Sequence, residues 1–495
     1  MEKFTLPLPN IPGLSSEVWP QAPIEIQAIV IALEARVREL DESNHKLEQR
    51  IQNLEARGKQ DSSTTSKPPS SDPWWKKAYP KKEKSGKKSG GQPGHRGNHR
   101  PIVALEKVDE VVQHFPEQCD GCGHALSAED NVADEPERRQ VSELPVVKVM
   151  VIEHQLHRRA CKSCGTINKA KVAPGIADSA FGPRMQAEIV HLVANCKLPR
   201  RGMTQYAAES WGVDIALGSV HAVEQKVSAA LEAPYAEAVL AAQQAPVRNI
   251  DETSWLEKDQ PAWLWTVVCA VATVFCIAHT RGSAEIKTLL GDALQFGITI
   301  TDRYKGYNFL EMIKRGICHA HLKRDFAKIA LLGGPTSTLG HALGALHRQL
   351  FVLWYRFKSG EIERAVFDAE LAPLQKCMRS MLEEGSRSSH KKIPGMCRDI
   401  LRHWEAMWTF TRVDGVEPTN NAAERAHRQA VKWRGICFGT RSSGGSRFVE
   451  RMLTVAETCR QNKRNVLDYL AQAIATAAAG QPAPRLIPSS SSEAS

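Results

Sequence analysis

No apolar run in the sequence is long enough to predict a membrane-spanning helix. The stretch WLWTVVCAVATVFCIA, residues 263–278, is nearly all apolar, yet it stops short of the roughly 20 residues that cross a bilayer. Its Val, Thr and Trp content, with small residues at its middle, predicts two buried strands instead. The first twenty residues, MEKFTLPLPNIPGLSSEVWP, lack a signal-peptide layout. That favours a reduced, cytoplasmic protein, in which twelve cysteines argue for metal binding over disulfides. Acid is scarce in one place: from Lys76 to Arg100 nine Lys or Arg face a single Glu83. The whole chain carries a formal charge of +10, with a pI near 9.0, which points to an anionic partner. At 495 residues and 42% hydrophobic content there is room for several domains and a substantial core.

Residues 24–57 carry a heptad pattern. Leu33, Leu40, Leu47 and Leu54 recur every seven residues, and Val30, Val37, Asn44 and Ile51 stand three positions before them. Mostly β-branched a positions with Leu at d favour a parallel coiled-coil dimer, and Asn44 would set its register. The same face fits a helix packed on its own domain. Residues 58–104 are rich in Ser, Pro, Gly and Lys, the composition of a disordered basic linker. Such a linker can hold DNA through counterion release.

Two knuckles follow, Cys119-Asp-Gly-Cys122 and Cys161-Lys-Ser-Cys164, within a module spanning 105–175. Four thiolates so paired suit a structural, tetrahedral Zn2+ site, with His124, His154 and His157 as alternative ligands. The strand-like VVKVMVIEHQLHRRA between them predicts a zinc-ribbon hairpin. Residues 183–240 read as helical. Within them MTQYAAESWGVDIALGSVHAVEQKVSAAL fits a helix–turn–helix whose second helix starts near Leu217, and equally a plain helical hairpin. In the first case Ser219, His221 and Gln225 would face a DNA groove.

From 245 the period changes. APVRNIDETSW predicts a strand ending at Asp251, then two strands over 263–278, a helix at SAEIKTLLGDAL, and a fourth strand, GITITDRYKGY, delivering Asp302. Three antiparallel strands, a helix and a parallel strand open an RNase H-like fold, in which the first and fourth strands are neighbours. Two adjacent carboxylates, with a third acid from a later helix, could hold two Mg2+ ions for in-line attack at phosphorus.

IDETSW, TDRYKGY, CHAHLKRDF and TNNAAERAHRQ occur in that order. With the SKPPSSD and GGQPGH linker, the Cys-x-x-Cys region and the C-terminal GTRSSGGSRFVERMLTVAETCRQNKRNVLDYL, they resemble the DDE transposases of the insertion-sequence-66 family. The likeness runs from about residue 60 to about 475, and NNAAER is its most specific segment. The resemblance implies Asp251, Asp302 and Glu424 as a catalytic triad using Mg2+ or Mn2+. It implies an α/β, RNase H-like catalytic domain at 245–440 with a helical insertion at about 322–412, followed by a helical region at 441–480. It further implies cleavage at terminal inverted repeats and strand transfer into target DNA, a homodimer or higher oligomer, companion proteins from the same element, and a nucleoid-associated bacterial protein. Arg425, Arg428 and Lys432 lie where a DNA backbone would approach, and Thr419 to Asn421 would cap the helix that carries Glu424. A nuclease of this fold without strand transfer, and a non-catalytic DNA-binding protein, are the alternatives.

Overall fold

The computed structural model describes residues 7, 11, 16–58, 61, 64, 101–130, 135–172, 176, 179–332 and 334–488. Most of the predicted linker, including Trp74 and Trp75, falls outside them. The chain divides into two compact units. The smaller takes in Tyr79–Ile152 and Tyr206–Asp214; the larger holds Met1–Ala78, Glu153–Gln205 and Ile215–Ser495.

Helix α1 (Ile24–Gly58) carries the heptads. Leu33, Val37, Leu40, Leu47, Ile51 and Leu54 are between 49% and 59% exposed, so this seam is uncovered in the single chain. Strands β1 (Arg158–Ala160) and β2 (Ile167–Lys169) pair antiparallel around the second knuckle. The predicted ribbon strand is therefore corrected: only its last three residues pair. Residues 141–157 belong to no strand or helix, and of them the His157 carbonyl accepts the Ala170 N–H just beyond β2. High β propensity makes a strand only where a neighbour takes up its N–H and C=O groups.

Four helices follow: α2 (Pro183–Val190), α3 (Arg200–Tyr206), α4 (Leu217–Ala230) and α5 (Glu232–Gln244). A π-helical turn, Ala207–Trp211, extends α3 and ends at Gly212 with φ 65°, a conformation open to glycine because it lacks Cβ. Within the larger unit α2 packs against α4, and Arg200 forks onto the buried carboxylate of Glu224.

The sheet is built from β3 (Val247–Glu257), β4 (Gln260–Cys269), β5 (Thr273–Ala278), β6 (Ile298–Thr301) and β7 (Arg315–Ile317), with α6 (Ser283–Leu290) between β5 and β6. Its order is β5-β4-β3-β6-β7. The first three strands are antiparallel; β6 joins β3, and β7 joins β6, in parallel. The 263–278 stretch forms the two strands its composition predicts. Trp265, Val267 and Phe275 are buried to within 1%, each contributing about 1.5–3 kcal/mol by leaving water. One expectation fails: β3 does not end at Asp251. It runs six residues further, paired as far as Glu257 opposite Gln260, and Trp255 on that extension is buried against Thr440. Lys258 and Asp259 then turn the chain with φ 50° and 62°, the positive pair that suits a two-residue hairpin.

Helices α7 (His319–Ala330), α8 (Gly334–Lys358), α9 (Arg364–Gly385), α10 (Ile393–Arg402), α11 (Trp404–Met407) and α12 (Thr409–Arg412) follow β7. Their apolar faces enclose Phe326, Leu350, Trp354 and Phe367 and join Ile298, Ile300 and Ile317 of the sheet in one core. The chain then forms α13 (Asn421–Cys437), α14 (Ser443–Gln461) and α15 (Val466–Ala478). Helix α14 covers the edge strand β5. Thr458, Thr454 and Glu450 accept the N–H groups of Thr273, Phe275 and Ile277. Four helical residues advance about 6 Å and two strand residues about 6.7 Å, so the two rows stay in step. An edge that would template foreign strands is thereby closed. Among the described residues no helix is long and apolar enough to cross a membrane.

His319 and His347 are buried in the helical core, and burial lowers their pKa values to about 4 and about 3. Unfolded histidine titrates near 6.5, so the unfolded chain binds protons between about pH 6.5 and 3 that the folded chain refuses. Stability is full above that window and falls as pH drops through it. Urea midpoints at pH 7.5 and 5.0 should show this fall, and His347→Phe should reduce it. A pH-independent difference between the two proteins would refute the assignment.

Candidate active site

The parallel register sets Val247, Arg248 and Asn249 of β3 opposite Ile298, Thr299 and Ile300 of β6. Continuing that register by two residues brings Asp302 beside Asp251. Asp251 lies mid-strand, opposite Thr266 of β4. Asp302 leaves the end of β6 and accepts the Tyr304 N–H at 2.8 Å. Burial raises the Asp302 pKa above the ordinary carboxylate value. The Tyr304 N–H and His321 oppose that rise, and the charge of Asp251 adds to it.

Side-chain alternation on β3 sends Asn249, Asp251 and Thr253 to one face, where α13 lies. Asp251 Oδ2 is 3.2 Å from His427 Nδ1, and Arg434 reaches Thr253 at 3.2 Å. Glu424 sits in the first turn of α13, its N–H bonded to the Asn420 carbonyl. Arg324 Nη2 lies 3.3 Å from Glu424 Oε1, and His321 Nδ1 lies 3.7 Å from it. His321 thus neighbours both Glu424 and Asp302, while His427, three residues after Glu424, neighbours Asp251. Asp302 and Glu424 thus share His321 as a neighbour, and Asp302 feels the charge of Asp251. The i, i+4 partner Arg428 is not the one Glu424 takes.

Asn420 does not cap α13 with its side chain, as had been expected. It is fully buried, and Nδ2 donates to the Ile250 carbonyl at 2.8 Å while Oδ1 accepts from Asn249 Nδ2 at 3.0 Å. Its own N–H points at Cys318 Sγ, 3.2 Å away, and the Pro418 carbonyl accepts the His319 N–H. One residue therefore ties β3, the start of α7 and the start of α13 together.

A fourth acid, Glu252, was missed by pattern reading because strand alternation points it away from Asp251. It is buried against Arg281, 2.6 Å away, and Tyr307, whose hydroxyl donates to it. Burial and the charge of Asp302 push its pKa up to about 7. Arg281 stacks over Tyr304 at 3.8 Å and Trp263 at 4.8 Å. Arg303, beside Asp302, is neutralised by Asp325 and Asp399. A cleft of about 260 Å³ opens here, lined in part by Asp302, Arg303, His321, Arg324 and Lys328. Asp251 and Asp302 offer oxygen donors only, and Asp302 is held above its ordinary pKa by burial and a like charge, the donor chemistry that hard divalent cations take.

Arg425, Arg428 and Lys432 form an exposed stripe along α13 while Ala426, Ala430 and Trp433 are buried. His221 and Gln225 are exposed on α4, and Ser219 is half-buried. Each knuckle, taken by itself, has the same backbone. Cys119 N–H bonds the His124 carbonyl and Gly123 N–H the Cys119 carbonyl; Cys161 N–H bonds the Thr166 carbonyl and Gly165 N–H the Cys161 carbonyl. Gly123 and Gly165 share left-handed φ values of 75° and 73°. The Gly121 N–H lowers the Cys119 pKa, and the Thr166 hydroxyl lowers that of Cys164, both shifts towards the thiolate that metals require.

Residues 178–447, more than half of the chain, match the family described as Transposase IS66 family. The chain belongs to the IS66 transposase family. Residues 116–165 of this transposase match the zinc-finger binding domain of transposase IS66, and residues 16–101 match a family of unknown function. That match, which spans both knuckles, supports Zn2+ binding by this segment of an IS66 transposase, a DNA-processing enzyme. Two similar proteins come from Sinorhizobium fredii (strain NBRC 101917 / NGR234). Uncharacterized protein y4hP is 26% identical over 407 residues, covering 74% of this chain and 72% of its own. Uncharacterized protein y4qI is 26% identical over 213 residues, covering 42% of this chain and 39% of its own.

Asn420→Ala leaves the Ile250 carbonyl and the Asn249 amide without their partner. The expected loss is about 1–3 kcal/mol of stability, the cost of an unsatisfied buried polar group, read from the denaturant midpoint. An unchanged midpoint would show that Asn420 does not staple these elements.

Proposed function

We propose that this transposase cuts DNA at the ends of its element and joins those ends to target DNA. In this reading Asp251, Asp302 and Glu424 hold Mg2+ or Mn2+ in an RNase H-like core. The observation that carries it is the shared register of β3 and β6, with the first turn of α13 fastened to the same strand through Asn420. When bound, a pair of such ions activates the attacking oxygen and stabilises the leaving oxygen of an in-line displacement at phosphorus. Asp251 and Asp302 would hold the ions, with Glu424 on the second, and a cation would relieve the buried Asp302 of the like charge beside it. Arg324 holds Glu424 at the site. Arg425, Arg428 and Lys432 receive the DNA backbone, a contact that is salt-dependent and carries little sequence information. His221 and Gln225 of α4, together with the zinc-binding segment, read the terminal repeats.

Two DNA ends require two active sites, and the exposed seam of α1 supports pairing of two copies as a coiled coil. Companion proteins encoded by the same element complete the expected partners. The thiolates of Cys119, Cys122, Cys161 and Cys164 hold Zn2+ in a structural role, supported by the two matching knuckles.

Glu424→Gln should abolish Mg2+-dependent cleavage of transposon-end DNA while leaving DNA binding in place; undiminished cleavage would remove Glu424 from the site. With paired ends and a plasmid target, the wild-type protein should yield joined products. Cleaved ends that never join would make it a nuclease of the same fold. Metal analysis of the purified protein should find zinc, with less in Cys161→Ser. Zinc-free protein of unaltered fold would defeat the structural zinc role.

A further inference from the structure

We propose that Cys318, His321 and Glu424 form a separate transition-metal site of the zinc class, which withdraws Glu424 from the other two acids and so restrains catalysis. The proposal rests on Glu424 being the third acid. Cys318 is the residue before α7 and His321 lies in its first turn, so an i, i+3 step puts both beside the start of α13. One ligand atom from each of the three residues lies within 4.8 Å of the others. Cys318 is wholly buried, and the Asn420 N–H points at its sulfur from 3.2 Å. His321 Nδ1 is buried without a hydrogen bond, its 3.7 Å approach to Glu424 being too long for one.

The donor set decides the ion. Sulfur, imidazole nitrogen and one carboxylate oxygen suit Zn2+ or Co2+ and are poor ligands for Mg2+. Asp251 and Asp302 offer only oxygen. Two classes of ion thus compete for a single carboxylate, and Arg324, now paired with Glu424, is the group that gives way.

The test is a Co2+ titration of full-length protein carrying zinc at its knuckles. It should reveal one additional equivalent with thiolate-to-cobalt charge-transfer absorption. That equivalent should vanish in Cys318→Ser, persist in Asp251→Asn, and weaken in His321→Ala by roughly tenfold or more, the scale at which even outer-shell losses act. In parallel, added Zn2+ should inhibit Mg2+-dependent cleavage. No additional equivalent, or one that survives both Cys318→Ser and His321→Ala, overturns the site; His321→Ala decides if Cys318→Ser fails to fold. Cleavage surviving in Asp251→Asn would instead defeat the catalytic reading, while the cobalt titration still judges the metal site.

Discussion

Parallel pairing of β3 with β6 is the constraint from which the rest of the site follows, since it decides which residues of two strands far apart in sequence become neighbours. Parallel strands cannot be joined by a tight turn, and here β4, β5 and α6 make the crossing. A slip of one residue in this register would turn Asp251 to the opposite face of the sheet. The antiparallel pairing of β3 with β4, continuous from Arg248 to Glu257, guards against that slip. So does the alternating burial of Arg248, Ile250 and Glu252 along β3, on the face away from Asp251.

The third acid is held by different means. Glu424 belongs to a helix that the chain reaches six helices after β7, and backbone pairing ties that helix to the sheet only beyond its far end, where Thr440 bonds β3, with no ladder at the turn that carries Glu424. Asn420 substitutes for one, using its amide to bridge main chain and side chain of β3. Buried amides make such staples well because they both donate and accept. The intervening helices form a core continuous with the sheet, and this core fixes where α7 presents His321 and Arg324. At the far edge, α14 closes β5 with side chains in place of another strand.

Charge is divided along the same lines. Arg281, Arg303 and Arg324 are each matched with carboxylates close to the acids, so they balance the site without filling it. The cations of α13 at 425, 428 and 432 face solvent, where a polyanion can reach them. Glu252 and Asp302 are both held above the ordinary carboxylate pKa by burial. That is the expected result of crowding acids in a dry place, and it marks the region as one that attracts positive charge.

Local spacing alone determined the heptads of α1, the two Cys-x-x-Cys knuckles, the pair of strands in 263–278 and the start of α4 at Leu217. Each depends on residues a few positions apart, whose geometry the backbone dictates. Asp302 was legible as a strand-end carboxylate, Asp251 was singled out at the end of a strand that in fact continues, and Glu424 was singled out because NNAAER resembles a family motif. Tertiary structure alone decided that β3 continues past Asp251, that β7 extends the sheet and that residues 141–157, for all their valines, find no strand partner. It also turned Asn420 from a cap into a staple, brought Glu252 beside the acids, and paired Glu424 with Arg324, a hundred residues away, instead of Arg428. The physical reason is common to all of these. A side chain's partner depends on which faces of distant elements are packed together, and no local period encodes that.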